Sequence, residues 1–275
     1  MTKLISANFI RLKKDKSFWI GILFMIVIGI FFPVIRYLDM KKTGYIYNID
    51  TNFFICAIFI GIIMSIFCSL FIGTEYSDGT IRNKIIVGQK RKDIYLSNLL
   101  LCSLVGILMC CVFFIVYLCV GIPLLGYFVS DTKYIFILFI TVLLFTISYV
   151  SIFTMITMIL QNKTVISIVC ILLAFGLLVG GGMFNRMLNE PKTVLTYNIS
   201  EKGESIAEEI ENPKYLEGSK RNIVQNIYDI NPGGQAIQCM SMQVKNTNLL
   251  PIYSIVITLA TTSLGVISFN KKDIK

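Results

Sequence analysis

Six mostly apolar stretches dominate the chain, at 18–35, 53–73, 96–120, 135–160, 164–183 and 249–269. A hydrocarbon layer about 30 Å thick takes about 20 residues of helix to cross, and only a structure that satisfies its own backbone hydrogen bonds can cross it. Each stretch therefore predicts one spanning helix. Together they predict an all-α, polytopic membrane protein with six transmembrane helices. Composition leaves little room for a soluble enzyme: of 275 residues, 55% are hydrophobic and 15% charged, and the mean hydropathy is +0.75.

Charge placement predicts the orientation. Six spans put both termini on one side, and Lys and Arg in short loops mark the cytoplasmic side. The N-terminal arm, the second-to-third loop, the fourth-to-fifth connection and the C-terminus hold 14 Lys and Arg against five acids, a net of +9, while the opposite side nets zero. Both termini are thus expected in the cytoplasm, facing anionic headgroups and soluble partners. This topology accounts for the basic balance. No basic stripe with interleaved aromatics belongs to a soluble domain, so nucleic acid is not an expected partner.

Four regions follow. Residues 1–17 read as an interfacial amphipathic helix, with Ile5, Phe9 and Leu12 on one face and Lys3, Arg11, Lys13 and Lys14 around them. The segment lacks the cleavage pattern of a signal peptide. Residues 18–183 hold five spans, 184–248 form an extracellular segment, and 249–275 are the last span and a cytoplasmic tail. Within the long segment, Ile206 with Ile210, and Ile223 with Ile227 and Tyr228, suggest two short amphipathic helices. Asn231-Pro-Gly-Gly marks a turn after them. The Gly180-Gly-Gly run reads as a hinge or as an ordinary helix end. Seven of the eight Cys lie in spans as small apolar packing residues, and Cys239 is assigned to the aqueous segment.

Several chemistries are missing from the alphabet. With no His, the Ser/His/Asp triad, His-ligated zinc and His proton relays are excluded. No GxxxxGK[ST] run exists to cradle nucleotide phosphates, so this chain is expected to bind no cofactor. No catalytic residue and no metal site is expected either. None of the six stretches carries an Asp, Glu, Lys, Arg or His in its apolar interior, which argues against a proton-coupled carrier.

The second-to-third loop is the most informative segment. It contains Glu75-Tyr-Ser-Asp-Gly-Thr-Ile-Arg and, nine residues later, Arg91-Lys-Asp-Ile-Tyr-Leu-Ser. Ile81 and Ile85 share a face of a short helix, Arg82 and Lys84 lie off it, and Gly88 can end it. Periodicity alone allows two roles, a basic loop that fixes topology or a helix gripped by a soluble partner.

The two runs resemble the loop after the second span in permease subunits of the type-2 ABC transporter family. The N-terminal Ala7-Asn-Phe-Ile-Arg-Leu-Lys-Lys-Asp-Lys-Ser-Phe-Trp resembles that family's first helix, and the six-span plan covers the whole chain. The resemblance implies a coupling helix within about 75–87, docked on separate ABC ATPase subunits that hold ATP and magnesium, and a pathway formed with a second permease copy or paralogue. It carries Glu75, Gly79, Thr80 and Arg91 into the coupling role, with Arg82 and Lys84 beside them. Where this chain has Asn98 many relatives of the family have Lys, so nothing is carried there. Export is favoured, and an apolar pathway suits an antimicrobial or amphipathic peptide or a hydrophobic drug.

Two polar stripes invite a pathway reading. Gly61, Ser65, Ser69 and Gly73 recur every four residues in the second span, and Ser254, Thr258, Thr261 and Gly265 share a face of the last. Small residues at such spacing also let helices pack closely in lipid, so both roles stand. Outside the transporter reading, a membrane sensor or scaffold binding an extracellular ligand through 184–248 is the alternative, and an ion-coupled carrier is a third. The abundance of Ile, Lys and Asn points to a low-GC bacterium and its plasma membrane.

Overall fold

The computed structural model describes residues 1–199 and 205–272; Asp273 and Lys275, counted above with the C-terminal charges, lie outside them. Ten α-helices are described: α1 (Thr2–Lys14), α2 (Lys16–Thr43), α3 (Cys56–Ser77), α4 (Thr80–Ile86), α5 (Arg91–Leu125), α6 (Thr132–Ile159), α7 (Lys163–Leu188), α8 (Gly218–Ile230), α9 (Pro232–Ser241) and α10 (Leu249–Lys271). A 3-10 turn, Ile49–Asn52, precedes α3, and strands β1 (Thr193–Ile199) and β2 (Ser205–Glu211) form an antiparallel hairpin. Six helices are long and apolar enough to cross a membrane: α2, α3 with its 3-10 turn, α5, α6, α7 and α10. These are the six apolar stretches, extended at their ends by polar turns.

Local chemistry sets the breaks. Asp15 separates α1 from α2 and caps the latter, its carboxylate accepting from the Phe18 amide at 3.1 Å. Asn162 caps α7 in the same way, so α6 and α7 form a tight antiparallel hairpin. Gly126, at a φ of 82°, follows Pro123 and ends α5.

Helix α3 lies at the centre, with Met64, Phe67, Cys68 and Phe71 fully enclosed. Gly61 lies against the Tyr149 ring of α6, and Gly106 of α5 against Thr146. Small residues of this kind let backbones approach where lipid supplies no hydrophobic drive between helices. Helices α7 and α10 are outermost, with Leu172 and Leu259 facing out. Polar contacts divide the bundle into two ends. Arg91, the end of α10 and the end of α6 meet at the end that also carries α1, the basic end. The hairpin, α8 and α9 gather at the other.

Three sequence expectations change at the hairpin end. Ile206 and Ile210 belong to strand β2 and not to a helix. A spacing of four fits both periods, because four is even as well as close to 3.6. Ile223 and Ile227 do fall in a helix, α8, but both are exposed, and the face that packs is Gln225, Tyr228 and Asp229. Asn231-Pro-Gly-Gly is the start of a helix and not only a turn: Asn231 accepts from the Gly233 amide at 3.0 Å, and Pro232 takes the first position of α9.

Helix α9 packs among α3, α6 and α7, with Pro232, Gly233, Gly234, Gln235, Ala236, Gln238 and Cys239 all buried. Gly181 lies inside α7 against the backbone of Gly233 and Gly234, and Asn231 Nδ2 donates to the Leu177 carbonyl at 2.9 Å. The Gly180–Gly182 run is thus neither helix end nor open hinge: it lies within α7, and Gly181 at its middle makes a backbone-to-backbone contact. Cys239, assigned by sequence to the aqueous segment, is fully enclosed, and burial pushes its thiol up from the ordinary value.

Gly181→Leu should lower stability by at least about 1–3 kcal/mol, because the side chain would have to displace backbone. Gly176→Ala, with open space around it, should be neutral or slightly stabilising. Thermal unfolding in detergent reads the contrast. Cys239 should react with maleimide at least about ten-fold more slowly in the native protein than after denaturation, since burial keeps it a protonated thiol. Peptide mass spectrometry measures that ratio.

Candidate functional site: a buried carboxylate at the basic end

Helix α1 turns Leu4, Asn8 and Leu12 onto the bundle and leaves Phe9 and Ile10 exposed. Its packed face is therefore one residue off the Ile5, Phe9 and Leu12 pattern, and it carries an Asn at its middle. That Asn leads to the most polar point of the basic end. Glu75, in the last turn of α3, is 1% exposed, too enclosed for water to solvate its charge.

Three other helices satisfy it. Arg11 of α1 and Lys84 of α4 both pair with Oε1, and Asn98 Nδ2 of α5 donates to Oε2 at 2.9 Å. Asn8 joins the ring, donating to Asn98 Oδ1 at 2.8 Å and accepting from Lys84 Nζ at 3.2 Å. The Arg11 guanidinium also lies 3.7 Å from the centre of the Phe71 ring, and its Nη2 donates to the Phe71 carbonyl at 3.1 Å. Cations over an aromatic face gain further when desolvated. A buried charge is tolerated only when paired and hydrogen-bonded in this way.

The loop between α3 and α4 is built for the fold-back. Gly79 has a φ of 68°, in the left-handed region where a Cβ is disfavoured. Thr80 Oγ1 donates to the Glu75 carbonyl at 3.0 Å, satisfying one of the free carbonyls at the end of α3. Arg91 turns the other way. Its Nη1 donates to the carbonyls of Phe269 (3.2 Å), Asn270 (3.1 Å) and Lys272, at the negative end of the α10 dipole. Lys272 in turn donates to Met158 and Ile159 at the end of α6 and lies 5.0 Å from the Tyr76 ring, and burial pushes its ammonium pKa down.

Of the six residues proposed for coupling, five are thus turned into the bundle or the turn, and Arg82 alone is exposed. Two exposed neighbours went unnoticed in the sequence: Ile86 at 72% and Val87 at 77%. With Arg82 they form an apolar knob with a basic edge. A cavity of about 290 Å³ opens beside Arg82, which lines it together with Glu75, Tyr76, Ser77, Gly79, Ile81 and Gln161. Asn8, Arg11 and Asn98 were also missed as site residues. A polar Asn8 between Leu4 and Leu12 on one helix face was the available signal.

The polar stripes lie elsewhere, in helix contacts. Ser65 and Ser69 are buried and donate to carbonyls three residues back, Ile62 at 2.7 Å and Ile66 at 2.9 Å. Ser254 is buried and donates to Gln235 Oε1 at 2.6 Å, Thr258 donates to the Ser254 carbonyl, and Thr261 meets Ser151 of α6 at 2.7 Å. Among the described residues, no group of three or more Cys, Asp or Glu converges as metal ligands would.

A family model described as ABC-2 family transporter protein matches residues 4–180. The match takes in α1, the Glu75 ring, α4 and Arg91, and it ends within α7. Among curated proteins none matches the chain.

Glu75→Ala leaves Arg11 and Lys84 facing each other without their anion. Breaking a buried ion pair costs about 3–5 kcal/mol, and the low end is expected because both cations keep some access to water. Asp78→Ala, three residues on and exposed, should stay within about 0.5 kcal/mol of the native protein. Equal unfolding temperatures for the two variants would remove the ring from its structural role.

Proposed function

The chain belongs to the ABC-2 transporter family, and from that membership we propose that it is the permease subunit of an ATP-driven exporter. Its basic end, with both termini, faces the cytoplasm of a bacterial cell, and α4 docks on a separate ABC ATPase subunit that holds ATP and magnesium. The observation that carries this reading is the pairing of the exposed Ile86–Val87 knob with the buried ring beneath it. A docking element must offer apolar area to its partner and must be fixed to what it moves. Lys84 ties α4 to Glu75, and Glu75 ties it to α1, α3 and α5.

Force on α4 then reaches three other helices as one body, and Arg91 extends the connection from α5 to α10. Closure of paired ATPases would move these helices together, so the pathway is expected between two permease copies or paralogues. No Asp, Glu, Lys, Arg or His lies in the apolar interiors of the spans, which favours hydrophobic or amphipathic cargo such as an antimicrobial peptide. Ser65, Ser69, Ser254, Thr258 and Thr261 would meet cargo only in a state that parts the helix contacts they now make.

The test is purification of the tagged chain from its native membrane in mild detergent, with identification of what comes with it. A stoichiometric ABC ATPase should be recovered with the native chain. It should be lost from Ile86→Asp/Val87→Asp, which alters only the exposed knob and should leave the unfolding temperature unchanged. Absence of an ATPase in the native preparation would favour a sensor reading over transport. ATPase retention by the double variant would move the docking surface away from α4.

A further inference from the structure

At the hairpin end, opposite the Glu75 ring, a second carboxylate is buried under different terms. Asp229, near the end of α8, is 0% exposed and has no ion-pair partner among the described residues. It is held by neutral carboxamides: Gln225 Nε2 at 2.7 Å and Gln238 Nε2 at 3.0 Å on Oδ1, and Asn246 Nδ2 at 2.9 Å on Oδ2. A fourth amide, Gln235, donates to the Asp229 carbonyl at 2.8 Å and accepts from Ser254 of α10. Gln225, Gln235 and Gln238 are themselves buried, and Asn246 is partly exposed.

Two features of this cage are unexplained by packing. Three amide donors soften the cost of a buried negative charge but supply no positive charge to neutralise it. Gln238 contributes its nitrogen to the carboxylate, while its Oε1, on the same carboxamide, is buried with no hydrogen-bond partner. An orphaned acceptor beside an uncompensated anion is a surplus of negative potential in one small volume. A cation would relieve both at once.

We propose that the cage around Asp229 is a binding site for a monovalent cation, with Na⁺ as the ion of matching chemistry. Carboxylate and amide carbonyl are hard oxygen ligands. A carboxamide turned over about its terminal bond presents oxygen where it presented nitrogen, so Gln225, Gln238 and Asn246 can each change from donor to ligand without moving backbone. A single carboxylate gives the site one negative charge, which suits Na⁺ better than Ca²⁺, whose sites normally gather several. Asn246 gives the route from solvent. The ion would hold α8, α9 and the start of α10 together, independently of what the chain transports.

The full chain, purified in detergent, is unfolded thermally in NaCl, KCl, LiCl, CaCl₂ and choline chloride at matched ionic strength. Na⁺ should raise the unfolding temperature over choline by about 2–4 °C, with a saturable midpoint. Asp229→Asn should abolish that rise and, in choline, should be at least as stable as the native chain, because it removes the uncompensated charge. If that variant does not fold, Gln238→Met, which deletes the orphaned oxygen, should move the Na⁺ midpoint up by on the order of ten-fold. Equal unfolding temperatures in all five salts, or a rise that survives in Asp229→Asn, would overturn the site. Stabilisation by Ca²⁺ alone would overturn its monovalent character.

Discussion

Hydrocarbon neither hydrogen-bonds nor solvates charge, and the whole architecture answers to that. Many polar side chains are pushed to the two ends or absorbed within helices, as where Ser65, Ser69 and Thr261 donate to carbonyls of their own turns. What cannot be absorbed is concentrated. Glu75 sits where α3 leaves the apolar layer, and its charge recruits a cation from α1, a cation from α4 and an amide from α5. A carboxylate that water cannot reach dictates the positions of all its neighbours.

That concentration has a mechanical meaning. Apolar helix contacts in lipid rest on close packing, with no hydrophobic drive between helices to add to it. A shared carboxylate is directional and has few alternatives. Helices α1, α3, α4 and α5 are fixed at a single point, while α10 is held to α5 through Arg91 and to α6 through Lys272. The basic end is therefore cross-linked through polar contacts. The exposed Ile86–Val87 surface is mounted directly on it, an arrangement suited to the subunit docking proposed for a member of this transporter family.

The opposite end is held by shape. Gly181, Gly233 and Gly234 let α7 and α9 meet backbone to backbone, and Asn231 both caps α9 and reaches the Leu177 carbonyl. A short helix separated from α8 by Asn231 alone is thereby seated among α3, α6 and α7. Gln235 and Gln238 of that helix and Ser254 of α10 turn inward around Asp229, which is why the packed face of α8 is polar and its Ile residues face out.

The amino-acid sequence alone determined what composition and period can encode: six spans, the amphipathic character of α1, the tight connection between α6 and α7, and the loop around Glu75 with its family resemblance. These are local properties, legible because a span is set by length and a helix face by spacing. The tertiary structure decided which polar groups meet. No spacing relates Asn8, Arg11, Glu75, Lys84 and Asn98, which lie on four helices and come together because each needs a partner out of water. Nor could spacing choose between helix and strand at Ile206 and Ile210, or tell that the Asn231-Pro-Gly-Gly run opens a buried helix. Those outcomes depend on the surfaces against which the segments pack, and such surfaces exist only once the chain has folded.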